Sequence, residues 1–184
     1  MVSEPGGAVA SSQGFAVQTE AWGERVFDTL IVAGDNECRL PPRSLIERVR
    51  TSAARSRRMA SICTGAFVLA EAGLLDGRKA TTHWLHARAF RERFPRVQME
   101  EDRIFVIDGP VWTSAGMSAG LDLALAVIEK DLGRKLALTI ARKLVIYQRR
   151  GGGQSQFSTL LELDAKSDRV QTALAYAREN LAAD

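Results

Sequence analysis

The chain has 184 residues, of which 46% are hydrophobic and 26% charged, and its formal net charge is +3. These values are typical of one globular domain with at most a short appendage, and they argue against wholesale disorder. A net charge this small does not by itself indicate a nucleic-acid-binding protein. No apolar run is long enough to span a bilayer, and the N-terminus lacks a signal-peptide pattern, so we expect a cytoplasmic protein with no membrane partner.

Cysteine usage and the placement of basic residues give two further indications. Cys38 and Cys63 lie in dissimilar contexts without metal-type spacing, so we expect neither a metal nor another cofactor. Arginine and lysine are concentrated over 43–58 and 134–150. Such runs most often form a solvated helix face, and a surface for DNA or an acidic partner is the alternative.

The first third of the chain has the pattern of a small hairpin followed by alternating strands and helices. Segments 8–10 and 15–19 flank a turn and predict the hairpin. The continuous apolar run at 27–34 ends in glycine and predicts a buried parallel strand. A helix is expected from about 44 to 56, and a second strand over 59–62.

The alternation continues to about residue 147. The predicted elements are a helix over 64–74, a short strand over 79–82, a helix over 84–94, a hairpin formed by 104–107 and 111–114, and two helices over 118–132 and 135–147. Strands that alternate with helices in this way predict an α/β domain with a mostly parallel sheet.

A glycine-rich break divides the C-terminal segment from the rest. We assign 1–150 to the α/β domain, 151–166 to a linker and 167–184 to one further amphipathic helix. A single helix beyond a linker has little to pack against. It either folds back on the domain or belongs to a further module.

The stretch Ser61-Ile62-Cys63-Thr64-Gly65 joins the second strand directly to a helix. Exposed N–H groups and the helix dipole favour an anion at such a turn, so the site can stabilise a thiolate. The pattern is the strand–nucleophile–helix elbow in its cysteine form, with serine two residues before the nucleophile where glycine is usual. The alternative is that Cys63 is a small buried residue at a tight turn.

Several motifs, in order, carry a resemblance to a known family. They occupy 63–70, 73–77, 80–84, 113–120, 121–125 and 147–157. Together they resemble the ThiJ/PfpI branch of the class I glutamine amidotransferase-like superfamily. Within that branch they are most similar to the sensor domain of AraC-family transcriptional regulators.

The resemblance implies a flavodoxin-like, doubly wound fold with helices on both faces of the sheet. It also implies a homodimer, a small-molecule effector, and DNA contacts made only through a C-terminal helix-turn-helix domain. Against the family pattern, the first strand and helix are missing, and 167–184 resembles only the first helix of the DNA-binding domain. We therefore expect a chain truncated at both ends. Asp35 stands where the family tends to carry a second glycine.

The resemblance places Cys63 at the elbow with His83 as its potential partner, which leaves two classes of function open. In a cysteine-dependent enzyme (an isonitrile hydratase, an amidase or a glyoxalase-like activity), Cys63 and His83 would be catalytic. The alternative for His83 is a capping or packing role. No carboxylate can be assigned to orient it, and the family's acidic residue falls in the missing segment.

A ligand-sensing domain needs only a concave site with a few polar groups, so sensing is the leading hypothesis. The ligand-binding residues that we predict are Gly34, Asp35, Cys63, Thr64, His83 and Trp84. Trp112 and Met117 are further candidates for the lining, although each is more often part of a core. Oxidation of Cys63 as a switch, and a fragment with no function of its own, are weaker alternatives.

Overall fold

The computed structural model describes residues 1–11, 13–35 and 38–146. The strands within this part of the chain are Val2–Ser3 (β1), Gly7–Ala10 (β2), Ala16–Ala21 (β3), Thr29–Ala33 (β4), Arg58–Ile62 (β5), Lys79–Ala80 (β6), Gln98–Met99 (β7), Phe105–Asp108 (β8) and Val111–Ser114 (β9). The helices are Arg43–Ala53 (α1), Gly65–Glu71 (α2), Ala87–Arg93 (α3), Ala119–Leu132 (α4) and Arg134–Lys143 (α5), with a 3₁₀ turn over Trp84–His86. The predictions for 151–166 and 167–184 lie outside the described residues.

The central sheet has four strands in the order β4-β5-β9-β8. The three neighbours β4, β5 and β9 run parallel, and β8 joins β9 as an antiparallel hairpin. The sheet is therefore mostly parallel, as the alternation of strands and helices predicts. The hairpin predicted over 104–107 and 111–114 is confirmed.

Helices cover both faces of this sheet. On one face Leu30, Val32 and Met59 pack in the main core, to which α1 and α2 also contribute. On the other face Ala60 and Trp112 pack against Leu123 and Ala126 of α4. This arrangement confirms the predicted doubly wound α/β architecture.

The strand predicted over 27–34 is parallel, as expected, but it is only half-buried. In the described part of the chain β4 pairs only with β5 and forms an edge of the sheet. Leu30 and Val32 face the core, whereas Ile31 on the opposite face is 50% exposed. A strand shows a continuous apolar run both when it is central and when it lies at an edge, so the run alone does not distinguish the two positions.

Two small sheets flank the central one. The predicted N-terminal hairpin is confirmed as the antiparallel pair β2–β3, and β1 adds to it in parallel. The strand predicted over 79–82 ends at Ala80, and β6 pairs with β7, which the sequence analysis missed. Beyond β6 the chain is held to the central sheet by a hydrogen bond from the N–H of Thr81 to Oγ1 of Thr113 (2.8 Å).

The five helices predicted between 44 and 147 are all present in the described residues, although most are shorter than predicted. The helix predicted over 167–184 lies outside these residues. The helix predicted over 64–74 ends at Glu71, and the one predicted over 135–147 ends at Lys143. The helix predicted over 84–94 begins with a 3₁₀ turn before α3. None of the described helices is both long enough and apolar enough to cross a membrane.

The basic segment 43–58 is not only a solvated helix face. Arg58 is 3% exposed, and its guanidinium lies 4.5 Å from the ring centroid of Trp112. It donates to both carboxylate oxygens of Asp131, at 2.6 and 2.9 Å. Arg57 bridges the same carboxylate and Asp28. These arginines tie β5 to α4 and to the residue just before β4.

Candidate functional site

The elbow that the sequence predicts lies between β5 and α2. Cys63 follows Ile62 directly and has a φ of +56°, in the left-handed region that residues other than glycine rarely adopt. Its N–H donates to the carbonyl of Ser114 at 3.0 Å. A non-glycine residue persists in this conformation only where its surroundings hold it there, and such residues cluster at functional sites.

Three glycines allow neighbouring segments to approach the elbow. A Cβ added to Gly116 would lie 2.8 Å from Cα and Sγ of Cys63 and closer still to its Cβ. A Cβ on Gly34 would overlap Thr64 and lie 2.5 Å from the N of Gly65. A Cβ on Gly65 would collide with the backbone of Val32. Only hydrogen fits at each of these positions.

Two side-chain hydrogen bonds hold the loops around the cysteine. The hydroxyl of Thr64 donates to the carbonyl of Asp35 at 2.6 Å, and the hydroxyl of Thr82 donates to the carbonyl of Cys63 at 2.9 Å. The structure thus brings together four of the residues predicted from the sequence: Gly34, Asp35, Cys63 and Thr64. It adds Thr82 and Gly116, which the sequence analysis did not single out as site residues.

His83 does not act on the cysteine in this structure. Its Nδ1 accepts from the N–H of Leu85 at 3.3 Å and caps the 3₁₀ turn. Among the described residues no hydrogen bond joins His83 to Cys63, although Thr82 connects the two positions. Burial, and secondarily the charge of His86, lower the pKa of His83, so the imidazole is neutral at neutral pH. The hydrogen bond that His83 makes is therefore that of a capping residue and not of a catalytic base.

The electrostatics of the elbow differ from the expectation of a stabilised thiolate. Burial raises the pKa of the Cys63 thiol above its ordinary value. The backbone of Thr64, and next its hydroxyl, lower the pKa of Cys63 but do not overcome burial. The helix that follows has only seven residues. The sulfur is therefore largely protonated at neutral pH.

The predicted aromatic and methionine lining divides into two groups. Trp84 is 44% exposed beside the His83 ring, at 5.7 Å between centroids, and Met117 is exposed. Trp112 is buried in the core on the α4 face and does not belong to the site. Across residues 1–11, 13–35 and 38–146, no group of three His, Cys, Asp or Glu side chains is placed to hold a metal ion.

Two of the cavities in the described part of the chain lie away from the elbow. One of about 400 Å³ lies between the 22–27 segment and α1, and is lined in part by Arg25, Arg48 and Arg55. The other, of about 700 Å³, lies between the C-terminal ends of α2 and α3. Neither is lined by Cys63. The Cys63 side chain itself is half-buried.

Known proteins with similar sequences include transcriptional regulators and an enzyme. The chain is 36% identical over 152 residues to the HTH-type transcriptional regulator CdhR of Pseudomonas aeruginosa, an alignment that covers 79% of this chain and 44% of CdhR. It is 37% identical over 101 residues to the isonitrile hydratase of Pseudomonas putida, covering 54% of this chain and 42% of that enzyme. The chain spans about half the length, or less, of the curated regulators that it matches.

The fold is shared with solved structures. An AraC family transcriptional regulator from Pseudomonas putida superimposes with a TM-score of 0.69 at 23% identity, over 78% of each chain. Residues 1–130 match the sequence model of the DJ-1/PfpI family, and they include both the elbow and the loops around it. The flavodoxin-like fold predicted from the resemblance is confirmed. The chain belongs to the DJ-1/PfpI family.

Proposed function

We propose that this chain is the ligand-sensing domain of an AraC-type transcriptional regulator. The observation that carries the proposal is its similarity to helix-turn-helix regulators across most of its length, although it spans only about half of theirs. On this proposal 1–150 is the sensor, 151–166 the linker and 167–184 the start of the DNA-binding domain. DNA is then contacted only through that further domain, and the sensor pairs as a homodimer in the cytoplasm.

The properties of the elbow suit recognition better than turnover. A nucleophilic cysteine needs a thiolate and a base within hydrogen-bond reach. Here burial raises the pKa of Cys63, and the Nδ1 of His83 is engaged with Leu85. A binding site needs only a concave surface with a few placed polar groups. Asp35 supplies an exposed carboxylate and Trp84 an exposed aromatic ring, and an amide, an amine or an amino-acid derivative matches them.

A route for the signal leads from the elbow to the C-terminal helices. Gly116 contacts Cys63, and α4 begins three residues later at Ala119. Gly133 then connects α4 to α5, which packs against it. A ligand that displaces Cys63 or Gly116 would therefore shift the helix pair that leads towards the linker. The ligand can shift the equilibrium between two arrangements of this helix pair only by as much as its affinities for the two arrangements differ.

Binding can be tested on the 184-residue chain with a panel of amides, amines and amino-acid derivatives. We expect at least one compound to raise the melting temperature and to slow the alkylation of Cys63 by iodoacetamide. Trp84→Ala should abolish both effects. Leu85→Ala is the matched control, because Leu85 is the adjacent residue, is also exposed, and is not among the predicted ligand-binding residues. Binders that leave Cys63 unprotected would contradict the proposed location.

A cysteine-dependent enzyme is the second candidate. It is favoured by the left-handed conformation of Cys63 and by the similarity to isonitrile hydratase. The two functions are separated by incubating the chain with isonitriles and amides and following their consumption by mass spectrometry. The sensing proposal predicts no consumption above the rate of a Cys63→Ala variant. Turnover that disappears in Cys63→Ala would establish the enzyme instead.

A further inference from the structure

The cavity between the 22–27 segment and α1 has a volume of about 400 Å³, which is within the range of small-molecule sites. Along α1 its lining residues recur every three or four positions, so they share one face of the helix; they are 44, 47, 48, 51 and 52, and the spacing continues to 55 just beyond the helix. The other side of α1, with Leu45, Ile46 and Val49, packs in the main core. This wall of the cavity is therefore fixed to the fold.

The second wall is the 22–27 segment, which is also anchored in the core. Trp22 is buried, and its ring meets that of Phe27 edge-on at 6.0 Å between centroids. The guanidinium of Arg48 donates to the carbonyl of Gly23 at 3.4 Å and so joins the two walls. Both aromatic residues line the cavity and give it an apolar part.

Two of the arginines that line the cavity are already paired with carboxylates outside it. Arg25 forms an ion pair with Glu20, and Arg48 forms one with Glu4 at 3.4 Å. Neither glutamate lines the cavity. The charges of these two arginines are therefore largely balanced from outside.

Three other charged side chains of the lining have no ion-pair partner within residues 1–11, 13–35 and 38–146: Glu24, Glu47 and Arg55. Glu24 adjoins Gly23 and Glu47 adjoins Arg48, and those two neighbours are hydrogen-bonded, so both carboxylates belong to one end of the cavity. Arg55 follows the end of α1 about two turns beyond Glu47, a separation of roughly 10–12 Å along the axis. The cavity thus has an acidic end and a basic end.

We propose that this cavity binds a zwitterion of the ω-amino-acid type, with its ammonium at Glu24 and Glu47 and its carboxylate at Arg55. The half-buried Ser52, one turn before Arg55, also lines the cavity, and its hydroxyl can donate to the carboxylate. Contacts of about 3 Å at each end leave roughly 4–6 Å between the two charges of the ligand, a distance that about three or four methylene groups span. These methylene groups would lie against the two aromatic residues.

The charge pattern also predicts selectivity for a zwitterion over an ion of a single sign. A carboxylate without an ammonium meets the guanidinium of Arg55 but leaves both glutamates without a partner. An amine without a carboxylate meets the glutamates but leaves Arg55 without one. Each exposed ion pair changes affinity only by about two- to fivefold, so tight binding needs both ends.

The experiment titrates the ¹⁵N-labelled 184-residue chain with glycine, β-alanine, γ-aminobutyrate and δ-aminovalerate, and follows the backbone amide signals by NMR. We expect saturable shifts within 22–27 and 44–55, and higher affinity for the two longer compounds than for glycine. Valerate and pentylamine each carry only one of the two charges, and should bind about two- to fivefold more weakly than δ-aminovalerate. The amide signals of 61–65, at the elbow, should not move.

Substitutions at the two ends separate binding from a merely structural effect. Arg55→Ala should weaken δ-aminovalerate and valerate about two- to fivefold without weakening pentylamine, and Glu47→Gln should weaken δ-aminovalerate and pentylamine without weakening valerate. Arg43→Ala is the matched control, because Arg43 is exposed on the same helix and does not line the cavity. It should leave all three affinities unchanged. Circular dichroism checks that each variant is folded.

The proposal is overturned if no member of the series gives a saturable shift within 22–27 and 44–55. It is equally overturned if valerate or pentylamine binds as tightly as δ-aminovalerate, or if Arg55→Ala behaves like Arg43→Ala. Shifts confined to 61–65 would also contradict it while supporting a ligand site at the elbow. The cavity and the elbow share no lining residue, so this proposal and the sensing function can fail separately.

Discussion

Gly116 lies directly against Cys63, so that a Cβ on Gly116 would approach within 2.8 Å of the cysteine Sγ and Cα and nearer still to its Cβ. The backbone that follows β9 therefore forms one wall of the elbow. The conformation of Cys63 and the start of α4 depend on the same contact. The elbow is thus built by packing from a distant segment as well as by its own local sequence.

We predict that Gly116→Ala destabilises the fold by about 2–5 kcal/mol, the sum of a left-handed backbone cost and overpacking. Urea unfolding measures the change. Gly133→Ala is the matched control, because Gly133 has a similar φ of +89° against +94° but no heavy atom within 4 Å of its added Cβ. Its ψ of 157° also lies in a region nearly exclusive to glycine, so it should lose about 1–3 kcal/mol from the backbone alone, less than Gly116→Ala. Equal losses at the two sites would show that Gly116 does not press on Cys63.

The buried hydroxyl of Thr82 also supports the elbow. Thr82→Val keeps the shape but removes the bond to the Cys63 carbonyl, which still accepts from the N–H of Ala66 at 3.3 Å. We expect a loss of about 1 kcal/mol in the free energy of unfolding. Thr139→Val removes an exposed hydroxyl that binds the carbonyl four residues earlier, and should change stability by less than about 0.5 kcal/mol. A Thr82→Val variant as stable as Thr139→Val would refute the role of Thr82.

The ion pairs of Asp131 make stability depend on pH. Hydrogen bonds from Arg58, and next from Arg57, hold the pKa of Asp131 well below its ordinary value. A lowered folded-state pKa adds stability above the unfolded value of about 3.9, and that stability is lost as pH falls below it. The difference in unfolding free energy between the native chain and Asp131→Asn should therefore be largest near neutral pH and shrink in acid.

The control for this series is Glu92→Gln, which breaks an exposed pair with Arg88 one turn earlier on the same helix. Exposed pairs of this kind contribute little, so the variant should follow the native pH profile. Urea titrations at several pH values supply both profiles. A deficit in Asp131→Asn that stays constant as pH falls from neutral into acid would contradict the account.

Local patterns in the sequence were sufficient for the elbow and the central sheet. An apolar run that passes without a break into a helical pattern predicts a sharp turn, and Cys63 lies at that turn with a positive φ. The residues at 108–110 predict the β8–β9 hairpin, because the preference of residues for a turn is set by the local sequence. These elements follow from periodicity and turn residues.

Other features depend on contacts between residues far apart in the chain. Arg58 and Asp131 are 73 positions apart, and neither position alone indicates a buried ion pair. Gly116 and Thr82 reach Cys63 only once β9 and the chain after β6 are in place. The raised pKa of Cys63 also depends on distant contacts, because it is caused by burial in the folded chain. The effect of a helix N-terminus, in contrast, can be expected from the sequence.

The rate of Cys63 alkylation as a function of pH tests most directly whether the elbow recognises or transforms its ligand. The native chain is treated with iodoacetamide and then digested with trypsin. Modification of the tryptic peptide 59–78, which contains Cys63, is followed by mass spectrometry. We predict an apparent pKa above the ordinary thiol value of about 8.5, with slower reaction at neutral pH than in the urea-unfolded chain. An apparent pKa below about 7, with reaction faster than in the unfolded chain, would identify an activated nucleophile and contradict the sensing account.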